Sequence, residues 1–168
     1  MIQTRIEQAV AEYIAREYIA DGVASGDVTE RGTVLTFTGI LAGQPDLRIH
    51  SGETASDAVL PIVMVVAGEG EEDDIGNQTV DIIITVAFPF YADADNAQQL
   101  ARLDAEFERV FSYAAEDEIG QLMAVTNTIT TDVSIIGVAT RSSRRSFDEN
   151  RAIRELTLRA YCADVAIY

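Results

Sequence analysis

Four places in this 168-residue chain hold residue types that can do chemistry, and the first is its single histidine. His50 lies beside Ser51 in a polar stretch, so a serine–histidine catalytic pair would have to use these two residues. General acid–base catalysis also needs a pocket that places the imidazole, and no motif here predicts one. We interpret His50 as an exposed loop residue, and we expect no enzymatic activity.

An acidic connector separates two apolar runs in the centre of the chain. Its five carboxylates belong to Glu69, Glu71, Glu72, Asp73 and Asp74. Carboxylate oxygens bind Ca²⁺, but this segment lacks the alternating ligands and the distal Glu of an EF-hand loop, so we expect no bound metal. Crowded carboxylates usually form a solvated tip; they can also face arginines of a partner, or line a passage that must repel DNA.

The glycines of the same connector do not form a phosphate-binding loop. Gly68-x-Gly70 has the spacing that opens a dinucleotide-binding loop, but Asp73 stands where the third glycine is needed. A Walker-type loop requires Lys, and the chain contains no Lys. These observations exclude nucleotide hydrolysis of the P-loop kind, and we expect no cofactor.

A cluster of arginines lies near the C-terminal end of the chain. It consists of Arg141, Arg144, Arg145 and Arg151. With Asp148 and Glu149, the window 141–151 has a charge of +2, which leaves −18 for the rest of a chain whose net charge is −16. One interpretation is a solvated loop, since exposed ion pairs contribute only ~0–1 kcal/mol each. The other is that these planar guanidiniums dock on carboxylates of a neighbouring subunit or partner.

The overall composition limits the classes of function. Twenty-eight acidic residues face twelve basic residues, all of them Arg, which disfavours a general nucleic-acid binder because binding to phosphate backbones depends on cations. An acidic surface without Lys fits either a GC-rich genome or adaptation to high salt. Cys162 is the only cysteine, so the sequence excludes an intramolecular disulfide and predicts a small core residue.

Two further features bear on localisation. The first ten residues, MIQTRIEQAV, have no basic segment followed by an apolar one, so they do not predict a signal peptide. No apolar run approaches the roughly 18 residues that a membrane span needs. We expect a single domain over residues 1–168, made in a reducing cytoplasm and without a membrane partner.

The elements that must position these residues follow from hydrophobic periodicity. Apolar side chains on one helical face predict a helix over residues 2–20, with a capping box at Thr4 and Glu7 and a stop at Asp21-Gly22. Residues 22–32 read as a loop, 33–41 as a strand, and 46–50 as a weaker extended piece. The apolar runs 60–68 and 79–88 predict an antiparallel hairpin whose tip is the acidic connector.

The second half of the chain repeats this alternation of helix and hairpin. A helix is predicted from an N-cap at Asp95 to about Gly120, with Leu103 on its apolar face. Residues 133–165 then predict two strands joined by a polar connection that holds the four arginines. Strands joined mainly by hairpins indicate an α+β fold with one mainly antiparallel sheet covered by two principal helices, 1–21 being the first of them and 60–165 the core.

Taken in order, several segments resemble one family of viral proteins. They are the N-terminal helix, the LPIVMVVAG strand with its acidic turn into TVDIIITVAFPF, the LARLDAEFERVFS helix and the RSSRRSFDENRAIRELTLRAYC return strand. This pattern is similar to the tail terminator and tail-completion proteins, the head–tail joining or neck proteins, of tailed bacteriophages and related archaeal tailed viruses. The resemblance covers about residues 60–165 and is one of element order and strand composition, whereas residues 22–58 are less typical.

The resemblance implies a structural virion protein with no catalytic role. Such proteins form a ring, usually of six subunits, at the head-proximal end of the tail tube, where the ring stops tube growth and joins the tail to the neck. Its partners would be other copies of the chain, the tail tube protein and connector proteins of the neck, with DNA only passing through the lumen. The alternatives are a head-completion or other neck protein, and a non-viral acidic binding or adaptor domain.

Overall fold

A long N-terminal helix lies against a mainly antiparallel sheet, which makes the fold α+β as expected. The computed structural model describes residues 2–29, 32–52, 61–72, 77–89, 98, 101–105, 133–147 and 151–164, and at residues 2, 133–143 and 163–164 it describes the backbone alone. The predicted cap at Asp95, most of the second predicted helix and the segment 121–131 lie outside these residues. In the part of the chain that is described, no helix is long and apolar enough to cross a membrane.

Helix α1, Ile2–Ala20, forms where the apolar stripe predicts it. Its buried face includes Tyr18, which lies off the simple stripe and is nevertheless fully buried. The helix ends as expected, because Gly22 takes a left-handed φ of 70° and donates its N–H to the carbonyl of Ile19 at 3.0 Å.

The first strands are β1 (Ala24–Ser25), β2 (Thr33–Phe37) and β3 (Leu47–Ser51). Strand β1 was not predicted, β2 is shorter than the strand predicted over 33–41, and β3 confirms the extended piece predicted at 46–50. Strand β2 buries Leu35 and Phe37 on one face as predicted, but it stops at Phe37 because Gly39, at φ 59°, turns the chain into a short 3-10 helix at Gly39–Leu41. The predicted loop over 22–32 contains β1, and His50 lies within β3, so neither prediction of a plain loop was correct.

The central hairpin is confirmed, with an extension that was not foreseen. Strand β4 (Ile62–Ala67) pairs antiparallel with β6 (Asn77–Pro89). The short strand β5 (Glu71–Glu72) also pairs with β6, opposite Gln78 and Thr79. Part of the predicted acidic tip therefore belongs to the sheet, while Asp73 and Asp74 lie outside the described residues.

Two long strands complete the sheet. Strands β7 (Val133–Phe147) and β8 (Arg151–Asp164) form an antiparallel hairpin, and β8 also pairs with β6 along its length. Within the described chain the sheet has eight strands, in the order β1-β2-β3-β4-β6-β8-β7, with β5 beside β6. Every pairing is antiparallel except β3 with β4, which is parallel.

The core lies on one side of this sheet. Alternate residues of β6 (Val80 to Phe88) and of β8 (Leu156 to Cys162) point toward it, as predicted, and α1 packs there across the strands β1 to β4. Leu103, in the helical segment 101–105, is buried in the same core. Both described α-helical segments therefore pack on one face, which we call the core face.

A carboxylate ties α1 to the end of β4. Glu7 was predicted to cap the helix, but the helix begins before Thr4, and Glu7 Oε1 instead accepts a hydrogen bond from the backbone N–H of Ala67 at 2.8 Å. The pairing of β4 with β3 ends at Val65, whereas Gly68 still donates its N–H to Asp81 of β6, so the Ala67 N–H on the β3 side takes a side-chain acceptor.

We predict that Glu7→Ala lowers the free energy of unfolding by roughly 1–3 kcal/mol, because a half-buried backbone N–H loses its acceptor. Chemical denaturation measures this loss. Glu7→Gln, which keeps a carbonyl oxygen at the same position, is the matched control and should recover most of the stability. Equal losses in the two variants would contradict the hydrogen bond's role.

Candidate functional site

The four arginines singled out by the sequence lie in strands and not in a loop. Arg141, Arg144 and Arg145 belong to β7, and Arg151 begins β8. Between these strands, residues 148–150 lie outside the described residues. Arg141 stands at a register shift between β7 and β8, where the strand carries one extra residue. The prediction of a polar connection holding these residues was therefore wrong about the element.

Strand alternation sends the neighbouring arginines to opposite faces. Arg145 is opposite Arg154 of β8, on the core face, and Arg144 is opposite Glu155, on the other face. Two guanidiniums side by side on the core face repel each other unless a carboxylate lies between them.

Asp104, in the helical segment 101–105, supplies that carboxylate. Its Oδ2 lies 2.9 Å from Nη2 of Arg145, and its Oδ1 accepts a hydrogen bond from Nη1 of Arg154 at 3.3 Å. The side chain of Arg154 is only 7% exposed, whereas that of Arg145 is 53% exposed. The Asp104 carboxylate thus joins the second helix to the β7–β8 hairpin, a structural role that the sequence reading of the arginines did not assign.

Arg144 is more exposed than Arg145 and Arg151. Its side chain is 71% exposed and its Nη2 lies 3.4 Å from Glu155 Oε2. This long, solvated contact contributes little to stability. Arg144 and the outer part of Arg145 therefore form the positive surface at this end of the sheet, which we call the arginine end.

The acidic residues lie at the opposite end of the same strands. Glu69, Glu71 and Glu72 are all exposed, and Glu71 pairs with Thr79 near the start of β6. Arg144 and Arg145, by contrast, stand opposite Glu155 and Arg154, which pair with Thr85 and Val86 of β6. At ~3.3 Å per residue, Thr79 and Thr85 are roughly 20 Å apart, so the glutamates of β5 and the arginine end of one copy do not meet.

Asp81 and Arg159 form a second ion pair, on the face away from the core. Arg159 Nε donates a hydrogen bond to Asp81 Oδ1 at 2.9 Å. This hydrogen bond, opposed in part by desolvation and aided by the charges of Asp81 and Glu71, raises the pKa of the Arg159 guanidinium above its usual value. Arg159 therefore partly neutralises the acidic end.

His50 is half-buried in β3 and lies beside Met64 of β4. Among the described residues, no group of histidines, cysteines and carboxylates could hold a metal ion. Cys162 lies in the core, where burial raises the pKa of its thiol to about 12.

The sequence did not lead us to two residues of this site, Arg154 and Asp104, although the position of Arg154 in its strand indicated a buried charge. Arg154 occupies a core-facing position in the alternation of β8, between Ala152 and Leu156, and a buried arginine requires a carboxylate partner. The identity of that partner, Asp104, is 50 residues away in the chain and has no signature in the sequence.

The comparisons with known proteins identify no family for this chain. No family model matches the chain, and no curated protein matches its sequence. The functional argument therefore depends on the residues themselves.

We predict that Asp104→Ala lowers the free energy of unfolding by roughly 1–3 kcal/mol, since it leaves the buried Arg154 without this carboxylate. Glu155→Ala removes a carboxylate from the exposed Arg144 and is the matched control, with an expected loss of at most about 1 kcal/mol. Urea denaturation of both variants measures the difference. A loss no larger for Asp104→Ala than for Glu155→Ala would show that Asp104 does not join the helix to the hairpin.

The thiol of Cys162 should not react in the folded protein at neutral pH. Its pKa of about 12 keeps the thiol protonated, and its side chain is fully buried. A colorimetric disulfide reagent should therefore detect no reactive thiol in the native protein and one thiol per chain after denaturation. Because the folded pKa is raised from 9.0, this group also costs stability as the pH rises from about 9 toward 12, and Cys162→Ala should flatten that part of the stability profile. Rapid reaction of the native thiol at neutral pH would contradict its burial.

Proposed function

We propose that this chain is a structural protein of a tailed virus, a ring-forming tail terminator at the head-proximal end of the tail tube. The observation that carries the proposal is the placement of opposite charges at the two ends of one long three-stranded ribbon, β6-β8-β7. A subunit with unlike ends suits contacts between different surfaces of successive copies, which is the arrangement that closes into a ring.

In this proposal the arginine end of one subunit docks on the acidic end of the next. Arg144 and the exposed part of Arg145 meet Glu69, Glu71 and Glu72 of the neighbour, and charge-assisted contacts fix the register of the ring. The sequence predicted the same contacts for four further residues, and we include them in the proposed interface because of their positions in the chain. They are Arg141, Arg151, Asp73 and Asp74.

The acidity of the chain fits a second part of the proposal. A ring with excess negative charge repels the phosphate backbone, so DNA passes through the lumen without binding. The proposed partners follow from the resemblance: other copies in a ring of six, the tail tube protein, and connector proteins of the neck. The fold proposed with this function has the second helix continuing beyond residue 105 to cover the sheet alongside α1.

The mechanism needs no catalytic group. The ring docks on the last layer of the tail tube and occupies the surface that would template the next layer, which stops growth. Its other side then presents a surface to the neck. We expect no enzyme activity, and the virion is the proposed location after assembly in the host cytoplasm.

Native mass spectrometry and negative-stain imaging of the protein with tail tubes test this proposal. We predict closed rings, which form or are stabilised on tube ends. Arg144→Glu should reduce ring formation at least tenfold, since a repulsive contact replaces an attractive one at each interface. Rings that form normally from this variant would remove Arg144 from the interface.

Arg5→Glu is the matched control. Arg5 is exposed on α1, a helix that packs on β1 to β4, so the substitution makes the same change of charge away from the β7–β8 hairpin. It should leave rings intact. A wild-type chain that remains monomeric with tail tubes present would overturn the terminator proposal and favour an adaptor domain.

A further inference from the structure

Each charged end of the β6-β8-β7 ribbon carries an exposed aromatic side chain. Among the described residues, five large apolar side chains are exposed, and two of these five are aromatic. Phe147 is 65% exposed and follows Arg144 and Arg145 in β7, whereas Tyr161 is 42% exposed in β8. Aromatic residues and Arg are the types most enriched at the centres of protein interfaces. Both ends therefore have the composition of contact surfaces.

At the arginine end, the aromatic side chain shares a face of the strand with a guanidinium. Phe147 stands opposite Ala152, and Arg145 stands opposite Arg154, and both of these partners are core-facing residues of β8. The two residues are two positions apart in an extended strand, so their Cα atoms are roughly 7 Å apart. A partner that contacts one of these side chains can therefore reach the other.

At the acidic end, the aromatic side chain shares a row with a carboxylate. Tyr161 pairs with Thr79 of β6, and Thr79 pairs with Glu71 of β5. Neighbouring strands are ~4.8 Å apart, which places Tyr161 roughly 10 Å from Glu71. The long side chains of Glu and Arg span the difference between this spacing and the one at the arginine end. An aromatic contact and an ion pair can therefore form together between two copies.

The face that carries Tyr161 is accessible at the acidic end and covered farther along. Ile62 and Ala87 lie on the same face, in the row of Ile153, and they are 2% and 4% exposed. Tyr161 stands roughly 26 Å from Ile153 along β8. Because a partner that packed over the whole face would meet the buried row, the contact must use the acidic end alone.

We propose that Phe147 and Tyr161 form the apolar centre of the contact between successive subunits, with Phe147 of one copy packed against Tyr161 of the partner subunit. This inference rests on the proposed ring, whose ion pairs surround the two aromatic side chains and exclude water from them. Aromatic side chains pack offset or edge to face with their centroids about 4.5–7 Å apart. The charges decide which ends meet, and burial of the aromatic pair holds them together.

Paired cysteines at the two positions test the proposal. In the double variant Phe147→Cys/Tyr161→Cys, a short bis-maleimide should link successive copies, and denaturing electrophoresis should show a ladder of covalent multimers. Within one copy, Ala152, which stands opposite Phe147, is roughly 30 Å from Tyr161 along β8, so a short reagent cannot join the two thiols. Cys162 does not compete, because it is fully buried and its thiol stays protonated.

Ile40→Cys/Tyr161→Cys is the matched control. Ile40 is 69% exposed, close to the exposure of Phe147, but it lies in the 3-10 helix after β2, toward the opposite edge of the sheet from β7. This pair should yield at least tenfold fewer links. Equal linking in the two double variants, or no linking between positions 147 and 161, would overturn the proposal.

Salt separates the aromatic contact from the ion pairs around it. At about 1 M salt the Debye length is about 3 Å, so exposed charges attract each other weakly while the effect of apolar burial persists. Phe147→Ala should reduce association at least tenfold at this salt concentration, whereas Ile40→Ala should leave it unchanged. If sedimentation shows that Phe147→Ala associates as strongly as the wild-type chain, the aromatic contact is overturned.

The outcomes distinguish this contact from the proposed function. Rings that form on tail tubes without links between positions 147 and 161 would overturn the aromatic contact alone. Links that build open chains, with no rings on tail tubes, would overturn the terminator proposal alone. The absence of both links and rings would overturn both.

Discussion

The continuous pairing of β6 with β8 is the constraint on which the rest of the structure depends. Thirteen consecutive residue pairs, from Asn77 with Ala163 to Pro89 with Arg151, keep one register without interruption. Because side chains alternate along a strand, a shift by one residue would exchange the core face with the opposite face on both strands. The buried aliphatic residues on one side and the Asp81–Arg159 pair on the other both oppose such a shift.

This pairing also decides where the charged groups lie. It places β5 and its glutamates at one end of the sheet and the start of β8 at the other, so the two charged segments of the sequence are separated by the length of a strand. It puts Arg154 on the core face, where Asp104 joins the second helix to β8 and β7. The arginines are therefore divided between stabilising the fold and forming an exposed surface, and Arg144 belongs mainly to the second group.

The proposed ring contact uses the two ends of this arrangement. The ends of the ribbon are unlike in charge, which favours association of one end with the other end of a neighbour. Because the chain contains no Lys, Arg is the donor in this contact, and its planar group can contact a carboxylate of its own chain and one of a neighbour at once.

Much of the fold followed from local patterns in the sequence. The apolar stripe of α1, the alternation of β2, β6 and β8, and the turn at Asp21-Gly22 each express a preference that neighbouring residues are enough to set. The same patterns indicated that Cys162 is buried. The sequence patterns were less reliable where the backbone conformation of a glycine ends a strand, as at Gly39. They were also less reliable where a polar side chain bonds to a partner that is distant in the chain.

The tertiary structure alone decided the pairing of distant segments. Glu7 has the spacing of a helix cap, but the unpaired N–H of Ala67 recruits it, and Asp104 bridges two arginines that lie far away in the chain. The polar residues of 141–147 resemble a loop by composition, yet they form a strand because β8 offers them a continuous row of backbone partners. Hydrophobic periodicity is encoded locally, whereas hydrogen bonds and ion pairs depend on which segments meet in space, and this is why the sequence determined the elements and the folded chain determined the sites.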